Sequence, residues 1–239
     1  MIRLITASQR YEAQVEGWLR SHYLFSFADY YDPENMEFGP LRVFNDDYVN
    51  KKSGFPSHPH SEMEIVTIVL SGELTHKDNI GNETTITPGQ VQRMTSGTGV
   101  THSETNETDE EIHLLQFWFV PNKRELAPSY EVMNIDFLKA KDELIPLVTG
   151  QKVLEDVAFL NSNSTIYYGS VSQGEEVNFR TFKIRRTLIY VLNGSVLVNN
   201  VEADTHDQIR LDDQELIAIR GTSGASFILV DVPALEANY

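Results

Sequence analysis

The chain has 239 residues, which is enough for one large domain or two small ones. It contains no cysteine, so a disulfide framework, a thiolate zinc site and a cysteine nucleophile are excluded. The formal net charge of −16 argues against direct binding to nucleic acid, and no stretch approaches the ~20 apolar residues of a membrane helix. Because the first residues also lack the apolar core of a secretory signal, we expect a cytoplasmic protein without membrane contact.

Short segments rich in β-branched and aromatic residues follow one another along the chain, separated by Gly, Asn, Asp and Pro. This arrangement predicts many short strands and an all-β sandwich or barrel. The segments before residue 123 are 41–46, 63–78, 83–97 and 111–121. Those after residue 150 are 164–174, 177–184, 187–200, 214–221 and 225–232.

Two stretches with the same pattern indicate an internal duplication. Residues 68–76 and 190–198 each read as a strand, a turn of small residues and a second strand. The mixed-charge stretch between the two β-rich halves predicts a connection with a short helical turn. We therefore predict an N-terminal domain over residues 1–122, a crossover linker over 123–150 and a C-terminal domain over 151–239.

Two histidines separated by one residue precede the strand predicted within residues 63–78. Side chains alternate between the two faces of a strand, so His58 and His60 point the same way in an extended backbone. Pro59 favours that conformation because a proline keeps the residue before it out of the helical region. The pair therefore supplies half of a candidate metal site.

A second stretch, after the glycines at 97 and 99, repeats this spacing. His102 and Glu104 share one face of an extended segment, and a hairpin-like excursion of the chain can bring them opposite the first pair. Three imidazoles and one carboxylate suit a borderline divalent metal, namely iron, zinc, nickel, copper or manganese. Octahedral coordination by these four residues leaves positions for water, dioxygen or a chelating substrate, which is typical of a catalytic site.

Glu64 is an alternative ligand, because it has the same parity along the chain as the first two histidines. We expect Glu104 to be the ligand and Glu64 to orient an imidazole. The other histidines have no comparable neighbour in sequence and are interpreted as structural: His22, His76, His113 and His206.

The second half does not repeat the site when the halves are aligned on their turn glycines, Gly72 and Gly194. In this alignment, the residues that match the first histidine pair are Arg180 and Phe182, and those near the second pair are Ser226 and Ile228. None of these four side chains forms a metal-binding set. We therefore predict one metal per chain, in residues 1–122, and a C-terminal domain without metal.

Several stretches of the chain resemble the pirin family of bicupin proteins, and the likeness extends over nearly the whole chain. They are residues 22–33, 41–47, 55–82 and 88–104. The resemblance implies two cupin barrels packed face to face, with one mononuclear metal in the N-terminal barrel. It implies iron, as Fe(II), as that metal, and as its ligands His58, His60, His102 and Glu104.

The pirin resemblance also implies quercetin 2,3-dioxygenase activity, in which dioxygen opens a flavonol ring and carbon monoxide leaves. We expect Glu104 to act as the general base that takes the hydroxyl proton of a small phenolic substrate. Other members of the family act as transcriptional co-regulators or bind enzymes, so the alternative is a non-enzymatic, metal-binding regulator that acts through a protein partner. A different enol or quinone substrate is a third hypothesis, which the sequence does not separate from the first.

Overall fold

The computed structural model describes residues 1–234 of the chain. Nearly all of the regular structure is β, so the all-β prediction is confirmed. The helices in this described part are two short 3-10 turns, Ala7–Gln9 and Phe137–Ala140, and none of its helices is long and apolar enough to cross a membrane. The end of the predicted C-terminal domain, residues 235–239, lies outside the described residues.

The strands of the first half come in quick succession. In chain order they are β1 (Ile2–Ile5), β2 (Tyr11–Val15), β3 (Leu19–Tyr23), β4 (Leu41–Val49), β5 (Gly54–His60), β6 (Glu64–Ser71), β7 (Leu74–Asp78), β8 (Glu83–Ile86), β9 (Gln90–Thr95), β10 (Val100–Thr105), β11 (Ile112–Phe119) and β12 (Ser129–Asn134). Those of the second half are β13 (Glu143–Thr149), β14 (Ala158–Phe159), β15 (Thr165–Val171), β16 (Glu176–Arg180), β17 (Arg185–Asn193), β18 (Ser195–Val198), β19 (Val201–Asp204), β20 (Gln208–Asp212), β21 (Leu216–Gly221) and β22 (Ala225–Pro233).

These strands form two barrels, each with one seven-stranded and one four-stranded sheet. The N-terminal barrel combines the sheet β12-β9-β6-β11-β4-β3-β2 with the sheet β5-β10-β7-β8. The C-terminal barrel combines β1-β20-β17-β22-β15-β13-β14 with β16-β21-β18-β19. Position by position, β9, β6, β11 and β4 correspond to β20, β17, β22 and β15. The internal duplication expected from the sequence is therefore confirmed in the topology.

The turn glycines that suggested the duplication have equivalent roles. Gly72 connects β6 with β7, and Gly194 connects β17 with β18, at φ angles of +81° and +77°. Glycine adopts this left-handed conformation without steric cost. A Cβ atom at Gly194 would also lie 2.1 Å from the carbonyl oxygen of Gly224, so no side chain fits there.

The chain between the two barrels differs from the predicted crossover linker, 123–150. It contains β12, which pairs with β9 of the N-terminal barrel, and β13, which pairs with β15 of the C-terminal barrel. At the start of the chain, β1 pairs with β20, so residues 2–5 complete the C-terminal sheet. Each barrel therefore includes one strand from the predicted linker, and the C-terminal barrel also includes a strand from the start of the chain. The division into domains at residues 122 and 151 stays a prediction.

The barrels pack face to face through the outer faces of their seven-stranded sheets. Val66 and Ile68 of β6 lie in one continuous apolar core with Leu188 and Tyr190 of β17 and Ile228 of β22. Each large apolar side chain buried in such a core contributes about 1.5–3 kcal/mol relative to its exposure to water. This shared core stabilises the contact between the barrels.

A buried ionic network lies within this interface. Asp46 of β4 accepts hydrogen bonds from Arg10, at 3.0 Å, and from the hydroxyl of Tyr190, at 2.5 Å. His113 of β11 contacts the other carboxylate oxygen. Burial alone raises the pKa of Asp46, but the contacts with His113, Tyr190 and Arg10 outweigh it and lower the pKa to about 2. The charged form of Asp46 therefore stabilises the folded protein.

This network makes stability depend on pH. A carboxylate whose folded pKa is depressed adds stability above its unfolded pKa of ~4, and this stability is lost as the pH falls towards the folded pKa. We expect Asp46→Asn to lower the free energy of unfolding by about 2 kcal/mol at pH 6 and by less at pH 3. Urea unfolding at both pH values measures this. The exposed Asp109→Asn serves as the control, and an equal loss for Asp46→Asn at the two pH values would contradict the assignment.

Candidate metal centre

The pairing of β5 with β10 brings the two histidine pairs together. In this antiparallel register His102 lies directly opposite His58, and Val100 lies opposite His60. β5 is an edge strand of its sheet, which is where a strand tolerates proline, and Pro59 is exposed there. Alternation along both strands then turns the histidines into the barrel.

Three imidazoles converge at this point. Nε2 of His58 lies 3.1 Å from Nε2 of His102, and the ring centroid of His60 lies 4.7 Å and 4.9 Å from the centroids of those two rings. One nitrogen from each ring lies within 4.8 Å of the others, a grouping that could hold a metal ion. His102 is buried and the other two are half-buried, so the group is accessible from one side.

Hydrogen bonds determine which ring nitrogens carry protons in the neutral imidazoles. His58 Nδ1 lies 2.7 Å from the carbonyl oxygen of Pro56, which only accepts, so this nitrogen carries the proton. In the same way, His76 Nε2 donates to the Asp78 carboxylate at 2.9 Å, which leaves its Nδ1 to accept from His102 Nδ1 at 3.4 Å. As a result, Nε2 of both His58 and His102 presents a lone pair to the same point.

This donor set fits a divalent transition metal. Burial lowers the pKa of His102. Burial also lowers the pKa of His60 to about 4, with further contributions from charge repulsion by His102 and His58. These two rings are therefore neutral near pH 7, which is the form of histidine that binds metals. Two lone pairs held 3.1 Å apart repel each other, and a cation between them would remove that repulsion.

Glu104 lies on the same inward face of β10 and is held from the opposite sheet. Its Oε2 accepts a hydrogen bond from Gln116 Nε2 at 2.8 Å. Its Oε1 lies 3.3 Å from Gln92 Nε2 and 3.4 Å from the hydroxyl of Thr67. These donors satisfy a buried carboxylate and fix its orientation towards the barrel interior.

His76, which the sequence led us to interpret as structural, lies beside the candidate ligands. His76 is fully buried on β7, directly opposite Glu104, and its ring stacks on Tyr130 with centroids 4.5 Å apart. Its ligand atom and those of His102 and Glu104 lie within 4.8 Å of one another, so they form a second group that could hold a metal ion. The proximity arises from the pairing of β7 with β10, which leaves no local signal in the sequence. The other histidines interpreted as structural lie outside both groups: His22, His113 and His206.

The structure also contradicts the two roles considered for Glu64, as a metal ligand or as a residue that orients an imidazole. Residues 61–63 interrupt the strand, so β5 and β6 belong to different sheets and the parity argument does not continue across them. Glu64 instead accepts a hydrogen bond from the backbone N–H of Asn161 at 2.9 Å. It shares a face of β6 with Val66 and Ile68, which pack between the barrels.

A cavity of about 320 Å³ lies beside the histidines and touches His58, Glu104 and Gln116. Its volume is within the range of small-molecule sites. Its other walls are mostly aromatic and aliphatic, and the aromatic residues are Trp18, Tyr23, Phe27, Phe55 and Trp118. The cavity therefore suits a flat, largely apolar molecule whose polar end faces the imidazoles and the carboxylate.

Asp47 adds a second carboxyl group to the wall of this cavity. Burial raises the pKa of Asp47 to about 7, with further contributions from the charges of Asp46 and Glu104, although a hydrogen bond from Ser21 opposes this shift. A perturbed carboxyl group in a concave site is a feature of functional sites.

The corresponding position in the C-terminal barrel is apolar. β16 and β21 match β5 and β10, and their buried side chains Val177, Phe179, Ile217 and Ile219 belong to one hydrophobic cluster. The alignment that placed Ser226 and Ile228 opposite His102 and Glu104 is wrong, because both residues lie on β22, the counterpart of β11. The glycine-containing segment 96–99 lies before β10, whereas segment 220–223 covers the end of β21. The two segments are therefore not equivalent. One metal per chain stays a prediction.

Comparisons with known proteins agree with this architecture. The family model described as pirin matches residues 6–119, and the model of the quercetinase C-terminal cupin domain matches residues 147–232. A quercetin 2,3-dioxygenase of Escherichia coli K12 is 36% identical over 234 residues, which cover 98% of this chain and 99% of the relative. The chain belongs to the pirin family. A pirin-like protein of Caulobacter vibrioides is 35% identical to this pirin over 215 residues, which cover 90% of the chain and 93% of the relative.

Solved structures confirm the cupin fold of this pirin. The bacterial pirin YhhW from Escherichia coli, in a crystal structure with nickel(II), superposes with a TM-score of 0.92 at 34% identity. The superposition covers 98% of this chain and 100% of YhhW. The predicted pair of cupin barrels is therefore confirmed.

The hydrogen bond from His102 to His76 yields a testable prediction. We expect His76→Leu to weaken Ni²⁺ binding roughly 10–100-fold, because His102 loses the acceptor that fixes its tautomer. His76→Gln supplies a carbonyl oxygen in place of Nδ1 and should retain most of the affinity. Competition with a chelator measures both dissociation constants, and circular dichroism confirms folding. Equal affinity in the Leu variant and the unaltered protein would contradict this role.

Proposed function

We propose that this pirin is a metal-dependent dioxygenase that cleaves quercetin or related flavonols with O₂. The observation that carries the proposal is the aromatic-walled cavity, which touches both His58 and the buried carboxylate of Glu104. The proposal is supported by full-length relatives named quercetin 2,3-dioxygenase and by the match to the quercetinase C-terminal cupin domain.

The proposed metal ligands are His58, His60, His102 and Glu104. The three imidazoles form one close group, and Glu104 shares a second group with His102. The nickel complex of YhhW supports a divalent metal at such a site. We propose Fe(II) as the metal, because the reaction uses dioxygen, with nickel, zinc, manganese and copper as alternatives. The protein is proposed to act in the cytoplasm.

A bound divalent cation would supply a Lewis acid that makes a chelating enolic hydroxyl of the flavonol more acidic. Glu104 is proposed to take that hydroxyl proton on a carboxylate oxygen, as a general base. Gln116 and Gln92 donate N–H groups to Glu104 and hold it in place during the transfer. The rings of Trp18 and Trp118 border the cavity, where they exclude water and hold a flat substrate. The deprotonated flavonol then reacts with O₂, and ring opening releases carbon monoxide.

An assay with quercetin tests this proposal. Iron-loaded protein should bleach the absorbance of quercetin and release carbon monoxide, and His60→Ala should abolish both because it removes one of the imidazole donors. Glu104→Gln should lower kcat by roughly 10²–10⁴-fold, because an amide cannot take the proton. His206→Ala, which removes a histidine of the C-terminal barrel, should leave turnover unchanged. Unchanged turnover in His60→Ala would refute the metal mechanism.

The regulatory alternative gives a different pattern of results. It requires metal binding without turnover of any phenol in a panel, together with recovery of a stoichiometric protein partner. Elemental analysis of protein purified without added metal helps to separate the two, because iron favours oxygen chemistry and zinc alone weakens it.

A further inference from the structure

The inner face of β4 carries polar side chains to the cavity wall opposite the histidines. Asn45 and Asp47 are two residues apart, so they share one face of the strand, and both line the cavity. Asn45 is paired in register with Gln116 on the neighbouring β11, and Gln116 holds Glu104. Neighbouring strands are about 5 Å apart. Asn45 therefore lies about one strand spacing from Gln116, on the side of Gln116 away from Thr67.

The side chain of Asn45 is in an unusual environment for a buried amide. Only 3% of the residue is exposed, and Oδ1 is buried without a hydrogen-bond partner among the described residues. A buried polar group in this state costs about 1–3 kcal/mol. The other polar residues in the same cross-strand row, Gln116, Thr67 and Gln92, all hydrogen-bond with Glu104. Asn45 has no such role, so its amide requires another explanation.

A bound ligand with a hydroxyl group would supply the missing partner. The carboxyl group of Asp47 is also buried, and its hydrogen-bond partner is the hydroxyl of Ser21. A phenolic hydroxyl both donates and accepts, so its O–H can donate to Asn45 Oδ1, the buried acceptor that has no partner among the described residues. The rest of the wall is largely aromatic and aliphatic, which limits the polar contacts of a ligand to its two ends.

We propose that Asn45 and Asp47 form a hydroxyl-binding subsite that selects aromatic substrates with a phenolic hydroxyl remote from the chelating oxygens. This inference rests on the proposed function in one respect, namely that the substrate is aromatic. It deepens that function because it names polyhydroxylated flavonols, rather than flavonols with the chelating hydroxyl alone, as the preferred substrates. Sites built to hydrogen-bond a hydroxyl discriminate strongly against analogues that lack it, because their own polar groups then stay unpaired.

Binding of small aromatic probes tests the subsite without metal or turnover. The chain has two tryptophans, Trp18 and Trp118, and both line the cavity, so tryptophan fluorescence reports its occupation. Metal-free protein should bind 2-naphthol at least about tenfold more tightly than 2-methylnaphthalene, which has nearly the same shape. Asn45→Leu should weaken binding of 2-naphthol and strengthen that of 2-methylnaphthalene, because it removes an unpaired amide. Asp47→Leu should lower the same preference.

In Asn45→Leu the affinities for the two probes should change in opposite directions. A general loss of stability would instead weaken the binding of both probes. Val43→Ala is the matched control, because Val43 lies on the same face of β4 but outside the cavity wall, and it should leave the ratio of affinities unchanged. Equal affinities in the unaltered protein, binding of neither probe, or an unchanged ratio in Asn45→Leu would each overturn the inference. A clear preference for 2-naphthol without quercetin turnover would instead retain the subsite and refute the dioxygenase proposal.

Discussion

The candidate site depends on one cross-strand pair, His58 opposite His102. Once these residues face each other on β5 and β10, alternation along the strands places His60 and Glu104 on the same inward face. A shift of β5 by one residue against β10 would turn His58 and His60 out of the barrel and away from His102 and Glu104. The register is therefore the constraint on which both the converging imidazoles and the adjacent cavity depend.

The two barrels show how one scaffold accommodates different interiors. The N-terminal barrel buries a network of polar side chains, in which Glu104 is held by Gln116, Gln92 and Thr67. The C-terminal barrel fills the equivalent space with apolar side chains such as Phe179 and Ile217. Buried polar groups cost free energy unless they are hydrogen-bonded, whereas an apolar core needs no such network. The second barrel thus supports the first through the shared interface and β1, without repeating its polar interior.

The interface between the barrels combines apolar packing with a few specific polar contacts. Tyr190 contributes to both, because its ring lies in the apolar core and its hydroxyl hydrogen-bonds with Asp46. Glu64 contributes through Asn161. Apolar burial supplies stability without direction, whereas these hydrogen bonds restrict how one barrel can sit on the other. The strand that carries Asn45 and Asp47 towards the cavity also carries Asp46 towards the interface, so β4 connects the two regions.

The sequence by itself determined the all-β class, the duplicated halves and the spacing that makes His58 with His60, and His102 with Glu104, share a face. These features are local, because strand alternation and turn glycines act over a few residues. Only the tertiary structure decided that His76 lies against His102, that Glu64 turns to the other barrel and that strands occupy residues 123–150. Each of these depends on which strands pair and which sheet a strand joins. Those choices are made by contacts between residues far apart in the chain, which leave no periodic signal in the sequence.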